Sequence, residues 1–149
     1  ATLNKLDFDK LVDLDKDGWT YTPYYNPINE TGTLGKDVHG FLVIHGWMAR
    51  RWSGATARDC YETFGGSGVT GHVHRMGEFY HRDYRGEYLW IEGGCMCGLK
   101  PNYMPVPDWQ NGVTVGYIYP KESGKPARFD MHAVPIVNNK MSFEGKVYK

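Results

Sequence analysis

The sequence predicts an α+β fold of about seven strands, mostly antiparallel or mixed, with two helices. Three observations lead there. Nineteen glycines and an aromatic content of 15%, with eleven Tyr and five Trp, favour short strands and turns over a helical bundle. Several segments alternate apolar and polar residues with period two, as half-buried strands do. Two short windows carry helical periodicity instead, and 149 residues correspond to a single domain, 1–149.

In chain order, Leu6 to Asp15 sets Leu6, Phe8, Leu11, Val12 and Leu14 on one side of a short amphipathic helix. Asp13-Leu14-Asp15-Lys16-Asp17-Gly18 opens like a calcium loop. Its twelfth position is Tyr24, however, where a bidentate Glu is required, so Gly18 reads as a helix stop. Trp19–Tyr25 is a short strand that Pro23 confines to an edge or an end. Asn26–Lys36 is a turn-rich loop, and Val38–His45 a strand ending in F-L-V-I-H-G. Thr56–Phe64 is a helix, with Ser53 or Thr56 as its cap and Gly65-Gly66 as its stop. Two alternating segments around Arg85-Gly86 form a hairpin, and Leu99–Gln110 is a proline-bearing loop. Gly112–Tyr119, Ala127–Ile136 and Lys140–Tyr148 complete the strands, separated by K-E-S-G-K-P and N-N-K turns.

Composition excludes some functions. Seventeen basic and seventeen acidic residues give zero net charge, so no strongly basic nucleic-acid surface is expected. No apolar run approaches the roughly 20 residues that span a bilayer, and A-T-L-N-K-L-D carries no signal-peptide core. Cys60, Cys95 and Cys97 form an odd set. Cys95-Met96-Cys97 lacks the C-x-x-C spacing of a zinc knuckle, so reduced, partly buried thiols are expected, with a zinc or disulfide role as the alternative. That usage points to the cytoplasm, where the Asn29 sequon has no role.

The chemistry concentrates in Ser67–Arg75, S-G-V-T-G-H-V-H-R. In an extended backbone His72 and His74 point the same way, so both imidazoles can reach one metal. His45 follows a buried strand, at the carboxyl end where open α/β sheets place their ligands. His39, an even number of residues earlier, more simply opens that strand at the surface. Arg50 and Arg51 can hold a phosphate bidentately, or else form a solvated face packed on Trp52.

Strand-H-G, followed some two dozen residues later by strand-G-H-x-H-R, resembles the last two metal-binding motifs of the calcineurin-like metallophosphoesterases. With the downstream W-I-E-G-G-C-M-C and D-W-Q-N-G-V-T-V, it resembles the phage-type members more narrowly, from about Gly18 to Ile136. The resemblance implies that His45 and His72 ligate one metal and His74 the other; Arg50, Arg51 and Arg75 are the candidate substrate-binding residues beside them. It implies hydrolysis of phosphomonoesters or phosphodiesters, including nucleic acid or nucleotides. Imidazole ligands fit Mn, Fe, Zn or Ni rather than Mg or Ca. The expected compartment is the cytoplasm of a phage-infected bacterial cell.

Of the family's earlier motifs, G-D and G-N-H-E do not occur in this sequence, and Asp37-Val38-His39 lies too close to the His45 motif to serve as the D-x-H. Without them there is no bridging carboxylate, and on this reading His74 is the second metal's only protein ligand. The expectation is therefore the C-terminal half of a sandwich and of a two-metal phosphoesterase. It would be inactive alone and completed by a partner polypeptide that carries the N-terminal motifs. An apolar sheet face or an open strand edge should await that half. The alternatives are a non-catalytic scaffold module and a mononuclear hydrolase on His45, His72 and His74.

Overall fold

The computed structural model describes residues 36–38, 41–119 and 128–149. The expected helix over Leu6–Asp15, the strand over Trp19–Tyr25, the turn at 121–126 and His39 lie outside them. The described chain is α+β, with two sheets and one helix.

The first sheet has the order β1-β2-β3-β5-β4, built from β1 (Lys36–Val38), β2 (Phe41–Ile44), β3 (Ser67–Thr70), β4 (Met76–Asp83) and β5 (Gly86–Gly93). Strands β2, β3 and β5 run parallel to one another, while β1 and β4 are antiparallel to their neighbours. Helix α1 (Ala55–Phe64) makes the crossover from β2 to β3. The second sheet is an antiparallel meander of β6 (Gly112–Tyr119), β7 (Arg128–Val137), β8 (Lys140–Phe143) and β9 (Lys146–Tyr148).

The strand count exceeds the expected seven for local reasons. Val38 belongs to β1 and pairs with Phe41 of β2, so Val38–His45 is not one strand. Lys140–Tyr148 divides at Glu144-Gly145, both in the left-handed region (φ 48° and 72°), which folds β8 against β9. Asn138 and Asn139 (φ 50° and 59°) turn β7 into β8 in the same way. Asparagine is among the few residues that tolerate that conformation.

Strand β5 carries Leu89, Trp90, Ile91 and Glu92, all buried, because both of its faces are covered. Trp90 packs towards α1 with Ile44, Ala57 and Cys60, and partly buried Leu42, Met48, Tyr61, Phe64 and Phe79 surround them. On the other face, Phe41 meets Phe129 of β7 edge-on at 5.1 Å, and Ala133 N–H donates to Glu78 Oε1. Gly77 is required where β4 passes under the loop before α1, since a Cβ there would collide with the backbone of Gly54.

Neither Ser53 nor Thr56 caps α1 with its side chain. Gly54 occupies the cap, and the buried Glu92 carboxyl supplies the acceptor. Glu92 Oε1 takes the N–H groups of Thr56 (2.8 Å) and Ala57 (3.0 Å). This satisfies two of the donors that a helix N-terminus leaves open, from a strand 35 residues away. Gly65 closes the other end with its N–H on Tyr61 O, as the sequence predicts.

Two outcomes follow. Glu92→Ala strands two buried N–H groups and should lower unfolding stability by about 3 kcal/mol in urea titrations, with Glu92→Gln costing less. Burial pushes the Cys60 thiol up to about 12, aided by the nearby Glu92 and Asp59. A thiol reagent should therefore label exposed Cys97 and leave Cys60 unmodified in the native chain, as peptide mapping would read out.

Candidate metal centre

The parallel strands end level with one another. Ile44 of β2 lies opposite Thr70 of β3, and Thr70 lies opposite Glu92 of β5. Each then passes through glycine-bearing chain next to potential ligands: His45-Gly46, Gly71-His72-Val73-His74, and Gly93-Gly94-Cys95-Met96-Cys97. The carboxyl ends of parallel strands are where such sheets build sites.

One carbonyl organises the first pair. His45 O accepts from Thr70 Oγ1 (2.8 Å), Gly71 N (3.0 Å) and His72 N (2.9 Å). Gly46 makes this approach possible, with φ 83° and no room for a Cβ beside Thr70 Oγ1. The rings follow the backbone: His72 Nδ1 and His45 Nε2 lie 3.3 Å apart, with the ring planes inclined at 78°. Two imidazole nitrogens bound to one ion at 2.0–2.1 Å in tetrahedral geometry stand about 3.3 Å apart, so the pair fits a shared cation.

His74 does not continue an extended strand. Strand β3 stops at Thr70, and His72-Val73 form a turn. His74 N–H reaches back to Gly71 O at 3.4 Å, and His74 is left-handed at φ 57°. The alternation that would place both imidazoles of H-x-H on one face is therefore lost. His74 lies edge-on to Trp109 at 4.4 Å, with Nδ1 3.8 Å from Cys97 Sγ. Among the described residues, the one group of three whose ligand atoms lie within 4.8 Å of one another is His74, Cys95 and Cys97. His45, His72 and His74 do not meet that distance as a trio, yet His45 still senses both neighbours. Partial burial, then the positive charges of His72 and His74, hold its pKa below 6.5.

The cysteine loop is fastened to the same edge by backbone bonds. Gly94 N donates to Arg75 O, Cys95 N to Gln110 O, Gln110 N to His74 O, and Gly112 N to Cys95 O, all at 2.9–3.0 Å. Asn111 Nδ2 donates to the carbonyls of Cys97 (2.8 Å) and Cys95 (3.2 Å). Sequence spacing alone set Cys95 and Cys97 aside because C-x-C is not a knuckle. The signal that finds them is their place directly after β5, at the same carboxyl edge as the histidines.

The three arginines expected near a phosphate are each already engaged. Arg75 is only 11% exposed, paired with Asp108 at 2.9 Å and donating to Arg50 O, so it braces two loops. Arg50 pairs with Asp59, and the Arg51 guanidinium stacks over Trp52 at 4.9 Å. The other two described histidines, His81 and His132, lie elsewhere, as expected, and His39 is outside the described residues. His81 sits among Tyr61, Phe79 and Tyr88, and His132 pairs with Asp130 at 2.9 Å in the second sheet.

Comparison with known proteins gives no match: no protein-family profile, no curated protein and no solved structure is similar to the chain. Among the described residues, no helix is long and apolar enough to cross a membrane.

In the metal-free chain, histidine NMR should show His45 titrating below 6.5. His72→Ala should raise that midpoint without restoring 6.5, because burial is the larger cause. The folded chain binds this proton less readily than the unfolded chain. The group therefore opposes folding progressively as pH falls below 6.5, and thermal unfolding of His45→Gln should be less acid-sensitive than that of wild type.

Proposed function

We propose that this chain is the C-terminal part of a metal-dependent phosphoesterase whose centre lies at the carboxyl ends of β2, β3 and β5. The observation that carries the reading is the His45–His72 pair, held 3.3 Å nitrogen to nitrogen by one strand-end carbonyl. Neutral imidazoles there suit Mn, Fe, Zn or Ni. When bound, such cations supply an activated water and neutralise phosphate charge. This chain's own contribution is to fix ligand directions: Thr70, Gly46 and Gly71 set the two rings, and Arg75 braces the loops beside them.

A segment outside these 149 residues completes the centre, supplying the D-x-H, G-D and G-N-H-E residues as a partner polypeptide or as a longer chain. The uncovered apolar rim supports this. Trp52 and Tyr103 are 68% and 75% exposed, and Val106 is 87% exposed, on the loops that flank the site. Such a rim suits burial against another polypeptide. In this reading the first sheet belongs to one layer of the family's sandwich, and the host setting is the cytoplasm of a phage-infected bacterium. Phosphodiesters, including nucleotides or nucleic acid, are the substrate class. A mononuclear site on His45, His72 and His74 has less support, because His74 lies with the cysteines.

Supplied with Mn²⁺ or Ni²⁺ and bis-p-nitrophenyl phosphate, the isolated chain should hydrolyse little or nothing. A polypeptide bearing the missing motifs should restore turnover, His72→Ala should abolish that gain, and His81→Ala should leave it near wild type. Strong hydrolysis by the isolated chain would overturn the reading in favour of a self-sufficient site. Failure with every complementing half would favour a scaffold role.

A further inference from the structure

We propose that His74, Cys95 and Cys97 form a Cys₂His binding site for a zinc-class cation, with a fourth position open. The inference rests on this cluster's own geometry and does not require the phosphoesterase reading.

The donor set is selective. Two thiolates and an imidazole favour Zn²⁺ over Mn²⁺ or Mg²⁺, which prefer oxygen. The spacing is close to what that ion needs. With Zn–S near 2.3 Å and Zn–N near 2.0–2.1 Å, a tetrahedral site has S···N and S···S edges of about 3.6–3.8 Å. His74 Nδ1 and Cys97 Sγ already stand 3.8 Å apart, and all three ligand atoms lie within 4.8 Å of one another. Small side-chain rotations close the rest.

The backbone holds the cluster from both sides. His74 O accepts Gln110 N–H, and Cys95 both donates to Gln110 O and accepts from Gly112 N–H, so the two ligand-bearing segments are tied through one short stretch. Asn111 Nδ2 bonds the Cys97 carbonyl and lies 3.7 Å from Cys95 Sγ, where it can support a thiolate. Trp109 covers one edge of the His74 ring. Outer partners of this kind orient ligands and tune affinity. Cys97 is exposed, so the ion has an entry path.

Binding replaces the two thiol protons, which pass to solvent, with two metal–sulfur bonds. Three protein ligands and one free position are the pattern of a reactive zinc site rather than a closed structural one. This arrangement also answers the shortage that the histidines alone present. A second cation that would have only His74 gains two further ligands from the same chain.

The test uses the whole reduced chain and Co²⁺ as a spectroscopic probe. One equivalent should produce sulfur-to-cobalt charge transfer in the near ultraviolet and intense tetrahedral d–d bands, and Zn²⁺ should displace it. Cys95→Ser, Cys97→Ser and His74→Ala should each weaken this binding at least tenfold, whereas His45→Ala and Cys60→Ser should retain the thiolate band. A Co²⁺ complex without thiolate absorption would overturn the proposal, as would a band that survives Cys97→Ser but disappears in His45→Ala. X-ray absorption of the wild-type zinc form decides independently of any variant's folding. Two sulfurs and at least one nitrogen support the site, and an all-nitrogen/oxygen shell rejects it.

Discussion

The Glu92 carboxyl joins the helix, strand β5 and the site edge in one contact. It is fully buried, and its Oε1 accepts the first two free N–H groups of α1. A carboxyl in that position costs several kcal/mol to desolvate unless it gains partners, and helix N–H groups without acceptors carry a similar penalty. The two N–H groups and Oε1 offset one another's cost, while Oε2 is buried without a hydrogen-bond partner, and this contact ties α1 to β5. Once α1 is placed, Thr56 Oγ1 receives Arg50 N–H at 3.0 Å, and this fixes the loop leaving β2. The residue opposite Glu92 is Thr70, whose hydroxyl reaches His45 O. The contact that seats the helix therefore sits in the same row as the contact that seats the histidines.

From that row, three loops leave in the same direction because β2, β3 and β5 are parallel. Parallel pairing requires a crossover, and α1 provides it for β2 and β3. The β4–β5 hairpin then brings the chain back antiparallel, so that β5 ends beside Thr70 rather than at the opposite edge. Glycines at 46, 71, 93 and 94 follow these strand ends, where backbones come together. At Gly94, with φ 71°, an added Cβ would crowd Met76 and the Gln110 carbonyl. The ligand-bearing residues thus converge through strand direction and close backbone approach, with no long side chain needed to reach across.

Much of this was legible in the residues. F-L-V-I-H-G announced a strand with His45 at its carboxyl end, although only Phe41 and Ile44 of β2 are buried while Val43 is exposed, and Thr56–Phe64 announced a helix stopped by Gly65. The hairpin and the later strands followed from alternation and turn chemistry, including Asn138-Asn139. Three features were not legible. The Glu92 cap pairs groups 35 and 36 residues apart, and no local pattern encodes it. The bend after Thr70 was hidden because G-H-V-H reads equally as strand or turn, and only the left-handed His74 decides it. The proximity of His74 to Cys95 and Cys97 was not legible because motif spacing describes one loop, whereas His74 comes to them from another, 21 and 23 residues earlier in the chain.

The two donor groups differ in what a cation must displace. At His45, partial burial and two neighbouring imidazoles disfavour the protonated ring. A proton therefore competes weakly there at neutral pH, and a metal enters without first removing one. At Cys95 the order is reversed. Burial, followed by its hydrogen bond with Cys97, raises the Cys95 thiol pKa, so that thiol holds its proton more firmly. A cation bound there must expel that proton, and this favours ions that form strong bonds to sulfur over ions that gain little from it. On the two proposals made above, adjacent donor groups with these proton demands would select different metals from one solution without any difference in size. The backbone places both sets of donors side by side at the carboxyl edge of one sheet.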